Sequence, residues 1–311
     1  MVKRSILLIF IIVVSGLLSG CNMDAPREKT TATYEVVDHQ GVTLKLNQKP
    51  QHIVSLTLCS DEILLSLTDK SRLASCTSKA TDRGISNVAE QAQDVPTLSS
   101  KSVEAIVALQ PDLVIAADWL PVELIDSLRE VGLNVYVYQT PSTITEVKAL
   151  IVEFSKVVGE TEKGIAIVKE MDEVLEKVQA DVQQIPEDKR KVVMALSFMG
   201  CYGGKGSILD DIDKNAGVIN GAALAGLEKN DTLAKEQLIA INPDIIMVPT
   251  WDYEGKDTEQ FKQDILNDPA LATVKAIKNK QLIQVADKYT YCTSQYIVYG
   301  VRDLAKAVYQ Q

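Results

Sequence analysis

The chain is expected to be an α/β protein of two similar lobes with parallel-type central sheets, joined by one long α-helix, with a ligand cleft between the lobes. Three observations predict this. From Tyr34 onward short apolar strands alternate with amphipathic helices, the order that builds parallel sheets covered on both faces. One segment occurs twice: "VEAIVALQPDLVIAADW" from Val103 to Trp119 and "KEQLIAINPDIIMVPTW" from Lys235 to Trp251. At one constant offset Glu104 matches Glu236, Ala108 matches Ala240, Pro111 matches Pro243, Asp112 matches Asp244 and Trp119 matches Trp251. Finally, "TEKGIAIVKEMDEVLEKVQADVQQI" places Val168, Met171, Leu175, Val178, Val182 and Ile185 on one helical face. That helix would be roughly 37 Å long, enough to cross from one lobe to the other with little hinge motion.

Before the folded body lies an address. Lys3 and Arg4 precede the apolar run "ILLIFIIVVSGLL" and then "LLSGC", so residues 1–20 are expected to be a lipoprotein signal peptide and Cys21 the lipid-bearing residue. The alternative is an uncleaved anchor helix, since the run is nearly long enough for one. Residues 21–33 are polar and aperiodic and are expected to form a tether. The chain would then be anchored on the extracytoplasmic face of the cell membrane.

Residues 34–142 are expected to form the N-terminal lobe. "YEVVDHQGVTLKL" makes a hairpin at Gly41, and "HIVSLTL" a buried strand. "SDEILLSL" is a helix capped by Ser60 or Asp61, and "RLASC" a second strand. "SVEAIVAL" is a helix capped by Ser102 and halted before Pro111, because proline disfavours helix in the preceding residue. "DLVIAA" is a strand, "PVELIDSLREVG" a helix closed by Gly132, and "NVYVY" a further strand. Connecting helices fill 143–186. The C-terminal lobe, 187–311, repeats the order through "KVVMALSF", "SILDDIDKNAG", "KEQLIAI", "DIIMV", "FKQDILND", "QLIQV" and "SQYIVYGVRDLAKAVY".

Function is bounded first by exclusion. The net charge of −10 over 311 residues argues against nucleic acid or an anionic membrane surface as the main partner. Only two histidines occur, His39 and His52, both ahead of the first core strand, and no hydrolase motif is present, so the chain is not expected to be an enzyme. "CYGGKGS" lacks the glycine and the Ser or Thr of a phosphate loop and is expected to be a turn-rich binding loop. In parallel α/β sheets ligands lie beyond the carboxyl ends of the strands. Trp119 and Trp251, the two tryptophans, follow strands there. So do Cys59, Cys76, Cys201 and Cys292, two per lobe, with Tyr202, Tyr289 and Tyr291 beside them. These nine residues are the expected ligand cleft. Lys79, Arg83, Lys205 and Lys288 are scattered basic candidates and do not by themselves call for a highly anionic ligand.

The four cysteines admit three readings. They could form disulfides within each lobe, Cys59–Cys76 and Cys201–Cys292, as an even count in an exported chain suggests. They could be metal ligands converging as thiolates on a soft metal or an iron–sulfur cluster. They could be unrelated buried thiols. Cys59 opens a helix, where the dipole favours thiolate.

The segments "DHQGVTLKLNQKPQHIVSLTLCSDEILLSL", "SVEAIVALQPDLVIAADW", "KEQLIAINPDIIMVPTW" and "LATVKAIKNKQLIQV" resemble the class III periplasmic binding proteins of ABC importers for cobalamin, haem and iron–siderophores. The resemblance covers nearly all of the chain after the tether. It implies a monomeric binding protein with no intrinsic cofactor, which captures an iron complex, haem or a corrinoid and delivers it to a permease and its ATPase. It further implies that Glu104 and Glu236, one per lobe, dock on arginines of the permease; the residues alone are also compatible with ordinary first-turn glutamates favoured by the helix dipole. Two positions depart from the family pattern: Cys59 stands where small or proline-type residues are usual, and "LTDK" replaces Leu-Gly at the first helix end. The competing reading is a surface-anchored redox or metal-handling protein built on the four cysteines.

Overall fold

The computed structural model describes residues 34–234 and 238–310. The expected signal peptide and tether, with Cys21, and Glu236 lie outside the described residues.

A hairpin of β1 (Tyr34–Val37) and β2 (Thr43–Leu46) opens the chain, turning at Gly41, whose φ of 80° lies in the left-handed region that glycine enters without steric cost. The first lobe follows as β3 (Ile53–Ser55), α1 (Leu58–Leu67), β4 (Leu73–Ser75), α2 (Ala89–Ala92), α3 (Val103–Ala108), β5 (Leu113–Ala117), α4 (Val122–Glu130) and β6 (Val135–Tyr138). Its sheet has the order β4-β3-β5-β6 and every pairing is parallel. All five residues of β5 are buried, as a strand covered on both faces requires.

Two helices connect the lobes, α5 (Ile144–Val157) and α6 (Thr161–Val182). The second lobe comprises β7 (Val192–Ser197), β8 (Gly200–Tyr202), α7 (Ile208–Asn215), β9 (Ile219–Asn220), α8 (Gly221–Leu224), α9 (Leu238–Ile241), β10 (Ile245–Val248), α10 (Thr258–Asn267), α11 (Lys275–Lys278), β11 (Leu282–Gln284), α12 (Asp287–Thr290) and α13 (Ile297–Tyr309). Strands β11, β10, β7 and β9 pair in parallel, whereas β8 folds back antiparallel on β7.

The repeated segment now has a structural account. Gln110 and Asn242, at equivalent positions, both take left-handed backbone with φ of 48° and 50°, and each is followed by proline. The aspartate after that proline pins the neighbouring strand. Asp112 accepts from the backbone N–H of Gln51 at 2.6 Å and His52 at 2.9 Å, just ahead of β3. Asp244 accepts from Val192 N–H at 2.9 Å, at the start of β7. In both lobes the Pro-Asp turn therefore sets the register of the central strand pair.

Two expectations shift. The cap of α1 is Thr57, whose hydroxyl accepts from Ser60 N–H at 3.1 Å, because Ser60 and Asp61 both turn inward. Cys59 thereby enters the first helical turn. Helix α6 ends at Val182, about 33 Å from its start. Met171, Leu175, Val178 and Val182 form its buried face, packed against α5 and α13, and so against both lobes. One apolar cluster continues from the first sheet through α5 and α6 to β7, α7 and α13, while each sheet's other face has a cluster of its own.

Candidate functional site

The carboxyl ends of the first lobe's four strands open onto a cavity of about 560 Å³. After β3 come Thr57, Leu58 and Cys59; after β4, Thr77 and Lys79; after β5, Trp119; after β6, Thr140 and Pro141. The opposite wall belongs to the second lobe: Ser207 and Ile208 at the start of α7, Lys229 and Asn230, and Tyr291, Cys292 and Thr293 after α12. The chain makes this wall by short turns. Ser207 caps α7 by accepting from Asp210 N–H at 3.1 Å, and the glycine-rich loop before it reverses at Gly203 and Gly206, both at positive φ. Deep in the site the hydroxyls of Thr57, Ser60 and Tyr138 form a chain with 2.7 Å links, and burial holds the Tyr138 phenol well above its usual range.

Four of the nine expected cleft residues line this cavity: Cys59, Trp119, Tyr291 and Cys292. Trp119 is 62 % exposed and Tyr291 64 %, so both side chains are open to solvent at the cavity. The other five are placed elsewhere. Cys76 is fully buried in the first lobe's core, and burial pushes its thiol up to about 12. Cys201 is fully buried in the second lobe's core, beside Met194 and Leu196. Tyr202 packs against the main apolar cluster, and Tyr289 stands edge-on to Tyr299 at 5.6 Å. Trp251 leaves its lobe to touch the other: its indole Nε1–H donates to Asp82 Oδ2 at 2.9 Å, and its ring passes so close to Gly84 that a Cβ there would lie 2.5 Å from Cδ1. It is a contact between lobes rather than a wall of the cavity.

The cysteine expectations change accordingly. No disulfide joins any two of the four. The neighbouring pair is neither Cys59–Cys76 nor Cys201–Cys292 but Cys59 with Cys292, which share the cavity wall across the lobes. Cys59 Sγ donates to Thr293 O at 3.0 Å, and burial raises the Cys292 thiol well above its ordinary value. With Cys76 and Cys201 each in a different apolar core, four thiolates do not converge. Among the described residues no three His, Cys, Asp or Glu side chains are grouped to hold a metal ion. His39 and His52 are exposed.

The seam beside the cavity is polar and was not legible in sequence. Glu62 on α1 is fully buried; its carboxylate accepts from Asn87 N–H at 2.7 Å and Asn87 Nδ2 at 3.0 Å, and from the Ser294 hydroxyl of the other lobe. Asn87 Nδ2 also reaches Lys288 O at 2.6 Å, and Gln295 Nε2 donates to Ser66 Oγ at 2.7 Å. Desolvation raises Glu62, opposed by these donors. Its neighbour Asp61 is buried too and is raised to about 7 by desolvation, against hydrogen bonds from Ser55 and Thr77.

Three lysines line the cavity: Lys79, Lys101 and Lys229. Lys79 Nζ lies 5.2 Å from the centroid of the Trp251 ring and Lys101 Nζ 5.7 Å from that of Trp119. Desolvation holds Lys101 below the usual lysine range, with the Asp61 charge opposing and the Lys79 charge adding to the shift. Of the basic residues singled out in sequence only Lys79 is on the wall; Arg83, Lys205 and Lys288 are not. Glu104 is exposed in the first turn of α3, outside the cavity, where its own backbone N–H and the Ser102 hydroxyl hold its carboxyl below the usual range.

The sequence profile of the periplasmic binding protein family matches residues 53–289. An uncharacterized ABC transporter substrate-binding lipoprotein of Bacillus subtilis, YvrC, is 24% identical, covering 99% of this chain and 98% of its own. The molybdate-binding protein MolA of Haemophilus influenzae is 25% identical over 69% of this chain and 65% of its own. Among solved structures, the periplasmic heme-binding protein RhuT of Roseiflexus sp. RS-1 superposes with a TM-score of 0.72 at 23% identity, covering 84% of this chain and 98% of that one.

Proposed function

The chain belongs to the periplasmic binding protein family, the substrate-binding components of ABC importers, and on that premise we propose that it is a lipid-anchored receptor that captures a metal-containing chelate or cofactor and delivers it to a permease and its ATPase. The candidate ligands are an iron complex, haem or a corrinoid. One observation carries the reading: the cavity of about 560 Å³ is walled by residues of both lobes, at the carboxyl ends of the first sheet's strands. A volume of that order suits a drug-sized or larger ligand, and Trp119 and Tyr291 offer flat faces to a conjugated one. A structural neighbour named for heme binding agrees with this class of ligand. Glu104, exposed and outside the cavity, is free to meet the permease while ligand is held; Glu236 is its proposed counterpart by sequence position.

Two measurements test the proposal. Calorimetric titration of the full chain with haem, cobalamin and iron(III) chelates should give one saturable site. Reversing charge at Glu104 and Glu236 together should abolish ligand-dependent stimulation of the reconstituted permease ATPase and leave ligand affinity nearly unchanged. Loss of ligand binding in that double variant would contradict the docking role. The competing reading, a redox protein built on four cysteines, is not favoured, because the structure separates Cys76 and Cys201 into two different cores.

A further inference from the structure

The chain carries a net charge of −10, yet its cavity wall carries the opposite sign. Lys79 and Lys101 of the first lobe and Lys229 of the second line it, and no aspartate or glutamate does. Elsewhere lysines on the surface are commonly matched with carboxylates, as in Lys49–Glu160, Lys214–Asp210 and Lys275–Asp244. Among the described residues none of the three cavity lysines makes such a pair. Two of them instead lie over indole rings, and Lys229 meets the Ser142 hydroxyl. Like charges gathered on a concave wall repel one another and focus a positive potential into the cleft. The indole contacts of Lys79 and Lys101 supply no counter-charge, and an anion arriving between the lobes relieves the repulsion.

We propose that the cleft selects a ligand bearing at least two negative charges on exposed oxygens, such as an iron(III) complex of a catecholate or carboxylate chelator, and that Lys79, Lys101 and Lys229 are the groups that read it. The inference rests on the receptor reading above and narrows it, since a neutral corrinoid or a neutral hydroxamate complex offers these ammonium groups no counter-charge. Lysine acts here as a flexible point charge, suited to anionic oxygens whose positions differ between chelates. Both lobes contribute, because an anion touching Lys229 and either lysine of the first lobe is held from two sides.

The test is a titration of the full chain with five named probes: iron(III) tris-catecholate, iron(III) citrate and molybdate as anions, a neutral iron(III) trihydroxamate and cobalamin as neutral ligands. At least one anionic chelate is expected to bind more tightly than both neutral ligands and to weaken as salt is raised. Replacing Lys79, Lys101 or Lys229 by Met should lower that affinity roughly three- to tenfold each, and all three together about a hundredfold. Lys→Arg at the same positions keeps the charge and should keep most of the affinity. Unchanged melting temperatures confirm that the variants are folded. Binding of molybdate alone, without any chelate, would assign the site to a free oxyanion and overturn the chelate. Tight binding of a neutral complex, indifferent to salt and to Lys→Met, would overturn the anionic selection and leave the receptor reading standing. Failure of all five to bind would overturn the anionic selection, and failure of haem to bind as well would overturn the receptor reading.

Discussion

The contact between Trp251 and Asp82 is a sharp place to perturb the seam between the lobes. The indole N–H donates to a carboxylate oxygen at 2.9 Å across the lobe boundary, with Gly84 giving the ring room. A hydrogen bond to a charged group is worth about 1.5–3 kcal/mol when buried. Asp82 is half-buried, so solvent screening reduces the expected coupling to about 1 kcal/mol. Trp251→Phe keeps an aromatic ring but loses the donor, and Asp82→Ala loses the acceptor. Asp82 also accepts from Gly84 N–H at 2.8 Å, so the single Asp82 variant reports more than the interlobe bond. The double-mutant cycle removes that excess. Thermal unfolding of the four proteins should show the single variants destabilised and a coupling of about 1 kcal/mol, equivalent to roughly 2 °C for a chain of this size. Additivity within about 0.3 kcal/mol would refute the contact as an energetic tie between the lobes.

Two further outcomes are expected. The carboxyl of Asp61 is raised to about 7 in the fold, whereas an unfolded aspartate titrates near 3.9, so the folded state holds the extra proton between those values. Asp61 thus makes stability fall as pH climbs from about 4 to about 7. Asp61→Asn, which can still accept from Thr77, should flatten that part of the stability–pH curve; an unchanged slope between pH 5 and 7.5 would contradict it. Native alkylation followed by mass spectrometry should label Cys59, half-exposed on the cavity wall, well before the fully buried Cys76 and Cys201. Equal labelling of all three in the folded protein would remove the distinction drawn between wall and core.

Much of the fold was legible because its signals are local. Pro111 and Pro243 each end a helix, Asp112 and Asp244 each begin a buried strand, and Gly41 and Gly132 sit where the backbone turns with positive φ. The long helix was readable from one apolar stripe. The cavity was only half legible. Strand-end position selected Cys59, Trp119 and Cys292, which line the cavity, but it also selected Cys76, Cys201 and Trp251, which do not, because a residue just past a strand can point into the cleft, into the core or across to the other lobe. Which of these happens depends on side-chain direction, set by packing that no local pattern reports. The expected intralobe cysteine pairs failed for the same reason: Cys59 meets Cys292 only because α1 and the segment after α12 abut. Lys101 and Lys229 were missed because an isolated lysine carries no motif. Their significance comes from lining, together with Lys79, one cavity whose walls carry no carboxylate.

The position of the bound ligand is the most direct test of an interlobe receptor. In the Trp251→Phe variant Trp119 is the single indole left, and it is 62 % exposed on the cavity wall. Titrating that variant with a coloured iron(III) chelate, following tryptophan emission and calorimetric heat together, reports occupancy of the cleft and binding at once. A ligand seated between the lobes will quench Trp119 along the calorimetric isotherm, to saturation at one equivalent. Calorimetric binding of the same chelate with Trp119 emission unchanged to saturation would place the ligand elsewhere and contradict the interlobe cavity as the binding site.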